Sequence, residues 1–146
     1  MKDNSLIIKN VKVLFVEVND KDFGSNITID VTDDSIRSQI ESFYTERGLN
    51  PKFKEFTSKE GKTTKKFSIK LAPFISVLDE SGITYDGLDA LEEVAKTIKL
   101  VYGSEINLAI KIYEYNNKFG AGKSASVSAI RIVKGAEGKN IMNELA

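Results

Sequence analysis

The chain has 146 residues, 41% of them hydrophobic, which suffices for one compact domain with a real core and is short for two. It contains neither cysteine nor histidine, which excludes disulfides, thiol chemistry, Cys/His zinc sites and any Ser–His or Cys–His catalytic pair. Basic and acidic residues balance at 21 each, so indiscriminate, very tight binding to polyanions is not expected.

The N-terminal stretch MKDNSLIIKN lacks the long apolar region of a signal peptide, and no run approaches the length of a membrane span, so an intracellular protein is expected. Residues 6–18 form a β-rich run whose alternation changes phase. Val11, Val13 and Phe15 share one face, and Leu14, Val16 and Val18 the other. One long, strongly bent strand or two short strands fit this pattern. A turn at 20–24 leads to a second strand in which Ile27, Ile29 and Val31 alternate with Asn26, Thr28 and Asp30.

A helix is expected from about Thr32–Ser35, with acids in its first turn and an apolar stripe of Ile36, Ile40, Phe43 and Tyr44. Arg47, Gly48 and Pro51 mark its end. Residues 51–57 and 65–72 read as a hairpin around the polar turn 58–62. In its second arm Phe67, Ile69 and Leu71 oppose Lys66, Ser68 and Lys70. In its first arm Lys52, Lys54 and Phe56 oppose Phe53, so a core-facing Phe53 turns Phe56 outward beside two lysines.

A short strand is expected at 74–78. A second helix comes next, capped by Asp86, with Leu88, Leu91, Ala95 and Ile98 as its stripe. Then comes the most informative stretch, 106–133. Ile106, Leu108, Ile110 and Ile112 fall on one face of a strand, and Asn107, Ala109, Lys111, Tyr113 and Tyr115 on the other. Rings beside a cation on a sheet surface suit single-stranded nucleic acid, where rings stack on bases and amines meet phosphates. Tyrosine is also an ordinary strand former, so a second buried layer fits equally. A glycine-rich tip and a returning strand, SASVSAIRIV, complete a final hairpin. Residues 1–134 are expected to form one domain and 135–146 a short tail.

This element order predicts a mainly β fold: a small, partly open five-stranded barrel of the OB type with one or two inserted helices. A plain α+β sandwich is the alternative.

Charge is unevenly spread. Seven lysines oppose two glutamates over 50–72, a local +5, while seven acids oppose two lysines over 77–105, a local −5. A basic face and an acidic face are compatible with zero net charge. The lysine run can be just a solvated hairpin face. Combined with Phe56 and the Lys111/Tyr113/Tyr115 face, it has the composition of a single-strand binder.

Two other motifs compete. Gly120-Ala121-Gly122-Lys123-Ser124 resembles the end of a phosphate-binding loop, but Asn117 stands where the pattern needs glycine, and residues 124–130 read as a strand rather than the required helix. A hairpin tip is the better reading, with Lys118, Phe119 and Lys123 placed to reach over a bound strand, or with no role at all. Asp30, Asp33 and Asp34, or Asp86 and Asp89, offer carboxylates for Mg²⁺ in a metal-dependent nuclease, yet they sit where helices start and capping explains them. No catalytic, metal or cofactor site is assigned.

The segments IYEYNNKFG at 112–120, GKSA at 122–125 and AIRI at 129–132 resemble bacteriophage single-stranded DNA-binding proteins of the OB-fold type. The likeness is specific over 103–133 and looser over 52–78. It implies a non-catalytic protein without cofactor that coats and protects single-stranded DNA in replication and recombination. It also implies a place in the host cytoplasm if phage-encoded, with replication or recombination proteins as possible partners. Carried over to this chain, it points to Tyr113, Tyr115, Lys118, Phe119 and Arg131. Alternation and charge add Lys52, Lys54, Phe56, Lys66, Lys70, Lys111 and Lys123. Such proteins often end in an acidic tail, whereas residues 134–146 carry two acids and two lysines, which puts tail-mediated recruitment in doubt. A protein-interaction or assembly module on the same barrel is the rival function. Strand edges and the tail are compatible with a homo-oligomer.

Overall fold

The computed structural model describes residues 5–22, 24–94, 100, 103–118 and 120–134, with the side chains of 115–117 outside that description. In chain order the elements are β1 (Ser5–Asp20), β2 (Gly24–Asp30), α1 (Asp34–Glu46), β3 (Lys54–Thr57), β4 (Thr63–Leu78), β5 (Thr84–Asp86), α2 (Leu88–Val94), β6 (Glu105–Asn117) and β7 (Gly120–Lys134). The expected tail lies outside the described residues, as do Ala95 and Ile98 of the second helical stripe.

Five strands close into a ring in the order β1–β2–β4–β7–β6 and back to β1. Every contact in the ring is antiparallel except β4–β7, which is parallel. β3 and β5 extend β4 at its two ends. This is the five-stranded barrel expected of the sequence, with α1 between the second and third ring strands and α2 between the third and fourth.

The phase change of the first strand has a specific cause. β1 is one strand, but Asn10 adopts φ 58° and its backbone N–H donates to Asn107 Oδ1 at 2.8 Å, so register slips between Ile8 and Val11 and both are buried. A second slip separates Val13, opposite Ile29, from Phe15, opposite Thr28. The extra residue sends Phe15 outward, 52% exposed, instead of inward with Val11 and Val13 as alternation implied.

The expected strands at 65–72 and 74–78 are one strand, β4, that changes partners near Pro73. Proline has no N–H to give a ladder, and the β4–β7 register jumps from Leu71 to Ser76 across it. The N-terminal half of β4 pairs with β2 and β3, and the C-terminal half with β5.

α1 begins where its sequence signals place it. Asp33 caps it, its carboxylate accepting from the Ser35 and Ile36 N–H groups, and Gly48 at φ 77° comes after its end. Ile40, Phe43 and Tyr44 are buried. Asp86 does not cap α2. It lies in β5, where its carboxylate accepts the Ser76 hydroxyl at 2.7 Å, and the first helical bond runs instead from Leu91 N–H to the Gly87 carbonyl at 3.1 Å.

The barrel interior is filled by branched aliphatics: Ile8, Val13, Ile27, Ile29, Ile75, Ile106 and Ile110 are wholly buried. Tyr44 closes one end, its ring 5.6 Å from that of Phe67. Burial pushes the Tyr44 phenol well above its ordinary value of 10.0. A raised folded-state pKa gives a stabilising contribution that is complete below about pH 10 and lost as pH rises through the folded value. Phenolate absorbance should therefore show Tyr44 as the most resistant of the five tyrosines, held un-ionised until alkaline unfolding releases it. Titration of all five in one step at the ordinary value would contradict its burial.

Candidate nucleic-acid interface

Residues directly opposite each other on neighbouring strands point to the same side of a sheet, so register reveals what the outer wall of the barrel gathers. On β2, β4 and β3, Asp30 lies opposite Lys66, which lies opposite Lys54. One step along, Thr28 lies opposite Ser68, their hydroxyls 2.7 Å apart. The next step reads Glu17, Asn26, Lys70, Ser126 and Lys111 across β1, β2, β4, β7 and β6.

Phe53 packs inward, its ring 5.2 Å from Phe67, and Phe56 therefore turns out, 47% exposed. The Lys66 Nζ stands 5.6 Å from the centre of the Phe56 ring. Lys52, Lys54 and Lys70 are exposed, and among the described residues Lys52, Lys54, Lys66, Lys70 and Lys111 form no ion pair. Two lysines facing each other across strands, as Lys54 and Lys66 do, repel. The fold tolerates that at the protein surface, and no ion pair among the described residues relieves it.

Two depressions of about 370 Å³ each lie over this wall and meet at Ser68, Ile69 and Lys70. One runs toward Lys52 and Lys123 over Tyr44 and Leu49. The other runs toward Phe15, Glu17 and Asn26. Lys123 is exposed at the mouth of the barrel and its Nζ donates to the Arg47 carbonyl at 3.3 Å, which anchors the β6–β7 hairpin over the first depression. Gly120–Lys134 is a strand with no helix opening at Lys123, so the loop-like GAGKS sequence is a hairpin arm.

The remaining sequence candidates fare differently. Lys111 is exposed on the outer wall, its Nζ 5.6 Å from the centre of the Tyr113 ring. Tyr113 is half-buried. Its hydroxyl is sealed without a hydrogen-bond partner among the described residues, and desolvation raises its pKa. The open ring at this position is Phe74, 58% exposed and edge-on to Tyr113 at 5.6 Å between centres. Phe74 keeps the outward phase of Lys66, Ser68 and Lys70 along β4, but Pro73 divides that strand in the sequence and hides the continuity. Phe15 is hidden for a different reason, a bulge that reverses the face of its strand. Tyr115 lies opposite Gly122 in β6, its side chain outside the described residues, and Phe119 is outside them entirely. Lys118 is exposed at the hairpin turn.

Arg131 does not join the basic wall. It lies opposite Leu78 and Asn107 toward the far end of β7, five residues beyond Ser126, beside an apolar trough of about 280 Å³ that includes Ile7, Leu78, Ala109 and Ala129. The carboxylates weighed as metal ligands serve local structure. Asp30 accepts from Thr32, Asp33 caps α1, Asp34 pairs with Arg37, and Asp89 accepts from Asn19. No group of three or more acidic residues able to hold a metal ion occurs among the described residues, nor is any helix among them long and apolar enough to cross a membrane.

No family model matches the chain, and no curated protein matches it in sequence. Solved structures do. The C-terminally truncated single-stranded DNA-binding protein from bacteriophage Enc34 is similar at a TM-score of 0.61 and 17% identity, over 92% of this chain and 86% of that one. The protein of the same phage in complex with single-stranded DNA is similar at 0.58 and 18%, over 92% and 88%. At this identity the likeness is one of fold, and it extends over nearly the whole barrel.

Proposed function

We propose that this chain is a non-catalytic binder of single-stranded DNA, largely indifferent to sequence, that covers exposed strands during phage DNA replication or recombination. The observation that carries the proposal is the row Lys54, Lys66 and Lys70, which form no ion pair among the described residues, on a barrel wall whose two depressions meet at Lys70 and whose open Phe56 ring stands beside Lys66. A polyanion relieves the repulsion that the fold leaves in place, and a ring supplies a stacking surface that every base can use. The fold likeness to a protein solved with single-stranded DNA supports the same conclusion.

The test is fluorescence anisotropy of a labelled oligo-dT titrated with the protein at several salt concentrations. Binding that weakens steadily as salt rises, exceeds binding to duplex and leaves the oligonucleotide intact with Mg²⁺ present is the expected result. No binding at low salt rejects the proposal, and shortening of the oligonucleotide rejects its non-catalytic part. A protein-interaction role has one observation in its favour, the apolar trough beside Arg131. That role predicts no response to DNA in this assay.

A further inference from the structure

The basic wall has two open rings at its ends and a choice of direction between them. The first is Phe56 with Lys54 and Lys66 on β3 and β4. The second is Phe74, packed on Tyr113 with Lys111 beside it. Lys70 lies between, and register joins it to Lys111 through Ser126 alone. In the opposite direction, Lys70 leads through Asn26 to Glu17, and Lys66 leads to Asp30. Phe15 is exposed on that side too, but beside the carboxylate of Glu17 within the second depression.

A phosphate chain leaving Lys70 therefore meets an amine toward β6 and carboxylates toward β1 and β2. We propose that a bound single strand runs along β4 from Phe56 and then across β7 onto β6, using Phe74 as a second stacking station and leaving Phe15 unused. This course rests on the single-stranded DNA-binding reading given above.

Strand geometry sets the length of the track. Lys66 to Lys70 is four residues, about 13 Å, and Lys70 to Lys111 is two strand spacings, about 10 Å. That distance of about 23 Å needs about seven nucleotides at a stacked rise of 3.4 Å, and about three if the strand is drawn out to twice that rise. The stacked value lies in the range known for one small barrel, and the drawn-out one just below it. An oligonucleotide long enough to reach both rings gains affinity from the second contact without any new partner.

The chain has no tryptophan, so a single introduced indole reports on its own position. Phe74→Trp should lose emission when oligo-dT of sixteen residues is added, and Phe15→Trp should not. Phe74→Ala and Phe74→Leu should each weaken binding of that oligonucleotide about tenfold, as expected for one lost base–ring stack. Leucine keeps the apolar packing on Tyr113, so a loss in both variants identifies the ring rather than the fold. Phe15→Ala should bind within about twofold of wild type. The track is overturned if wild type binds and the Phe74 variants bind equally well, or if Phe15→Trp is the indole that responds. If wild type itself does not bind, the DNA-binding reading fails, and the two failures are distinguishable.

Discussion

Replacing Lys54, Lys66 and Lys70 together by glutamine is expected to lower affinity for oligo-dT about a hundredfold at 0.1 M salt while leaving the fold intact. Each phosphate contact on a single strand contributes about 0.7 to the slope of log affinity against log salt. Three lost contacts should therefore flatten the slope by about 2, which is about two decades of affinity at 0.1 M salt. Stability should move the other way. Lys54 and Lys66 face each other across β3 and β4, and removing a like-charge pair relieves a penalty of a few tenths of a kcal/mol. Anisotropy titrations at several salt concentrations and a urea melt check both halves. A variant that melts as wild type does but keeps the wild-type salt slope removes these lysines from the DNA contact. If they are in the contact, they trade a little folded-state repulsion for it, which is the usual signature of a functional charge cluster.

Much of this could be read from the sequence where the pattern is local. Strict alternation in 106–113 placed Ile106, Leu108, Ile110 and Ile112 in the core and Lys111 outside, as the structure has them. The α1 signals, acids at the start and Gly48 after the end, were local too, and so was the outward turn of Phe56 once Phe53 was assigned inward. What escaped had two causes. The slip between Val13 and Phe15 moved Phe15 to the outer wall, an irregularity that a period of two cannot carry. Phe74 keeps the phase of Lys66, Ser68 and Lys70, but Pro73 splits β4 into two apparent strands and breaks the pattern before it reaches that ring. Tyr113 fell between its two readings. Its backbone is on the outer face as alternation requires, but Phe74 comes from a distant part of the chain and packs against its ring. Arg131 likewise lies on the outer surface, but toward the other end of β7, because alternation fixes the face of a residue and says nothing of its height along the barrel.

Ile29→Ala is expected to destabilise the protein by about 2–5 kcal/mol, a large share of the total stability of about 5–15 kcal/mol typical of a domain. Ile29 is wholly buried and sits where the ring closes, opposite Val13 on β1 and Phe67 on β4. Removing its branched side chain leaves a cavity between two strands whose pairing completes the barrel, and neither can move inward without giving up ladder bonds. Ile29→Val, which deletes one methyl, should cost only about 0.5–1.5 kcal/mol. Urea denaturation of both variants measures the difference. The preceding residue, Thr28, turns outward and bonds Ser68 on the basic wall, so the same stretch of β2 carries both the core and the floor of the groove. Below its melting temperature Ile29→Ala should therefore bind oligo-dT nearly as tightly as wild type, the converse of the lysine variant. An Ile29→Ala protein as stable as wild type would mean that the barrel does not close through β2. A stable but non-binding one would mean that the groove depends on core packing beneath it more than on the charges along its surface.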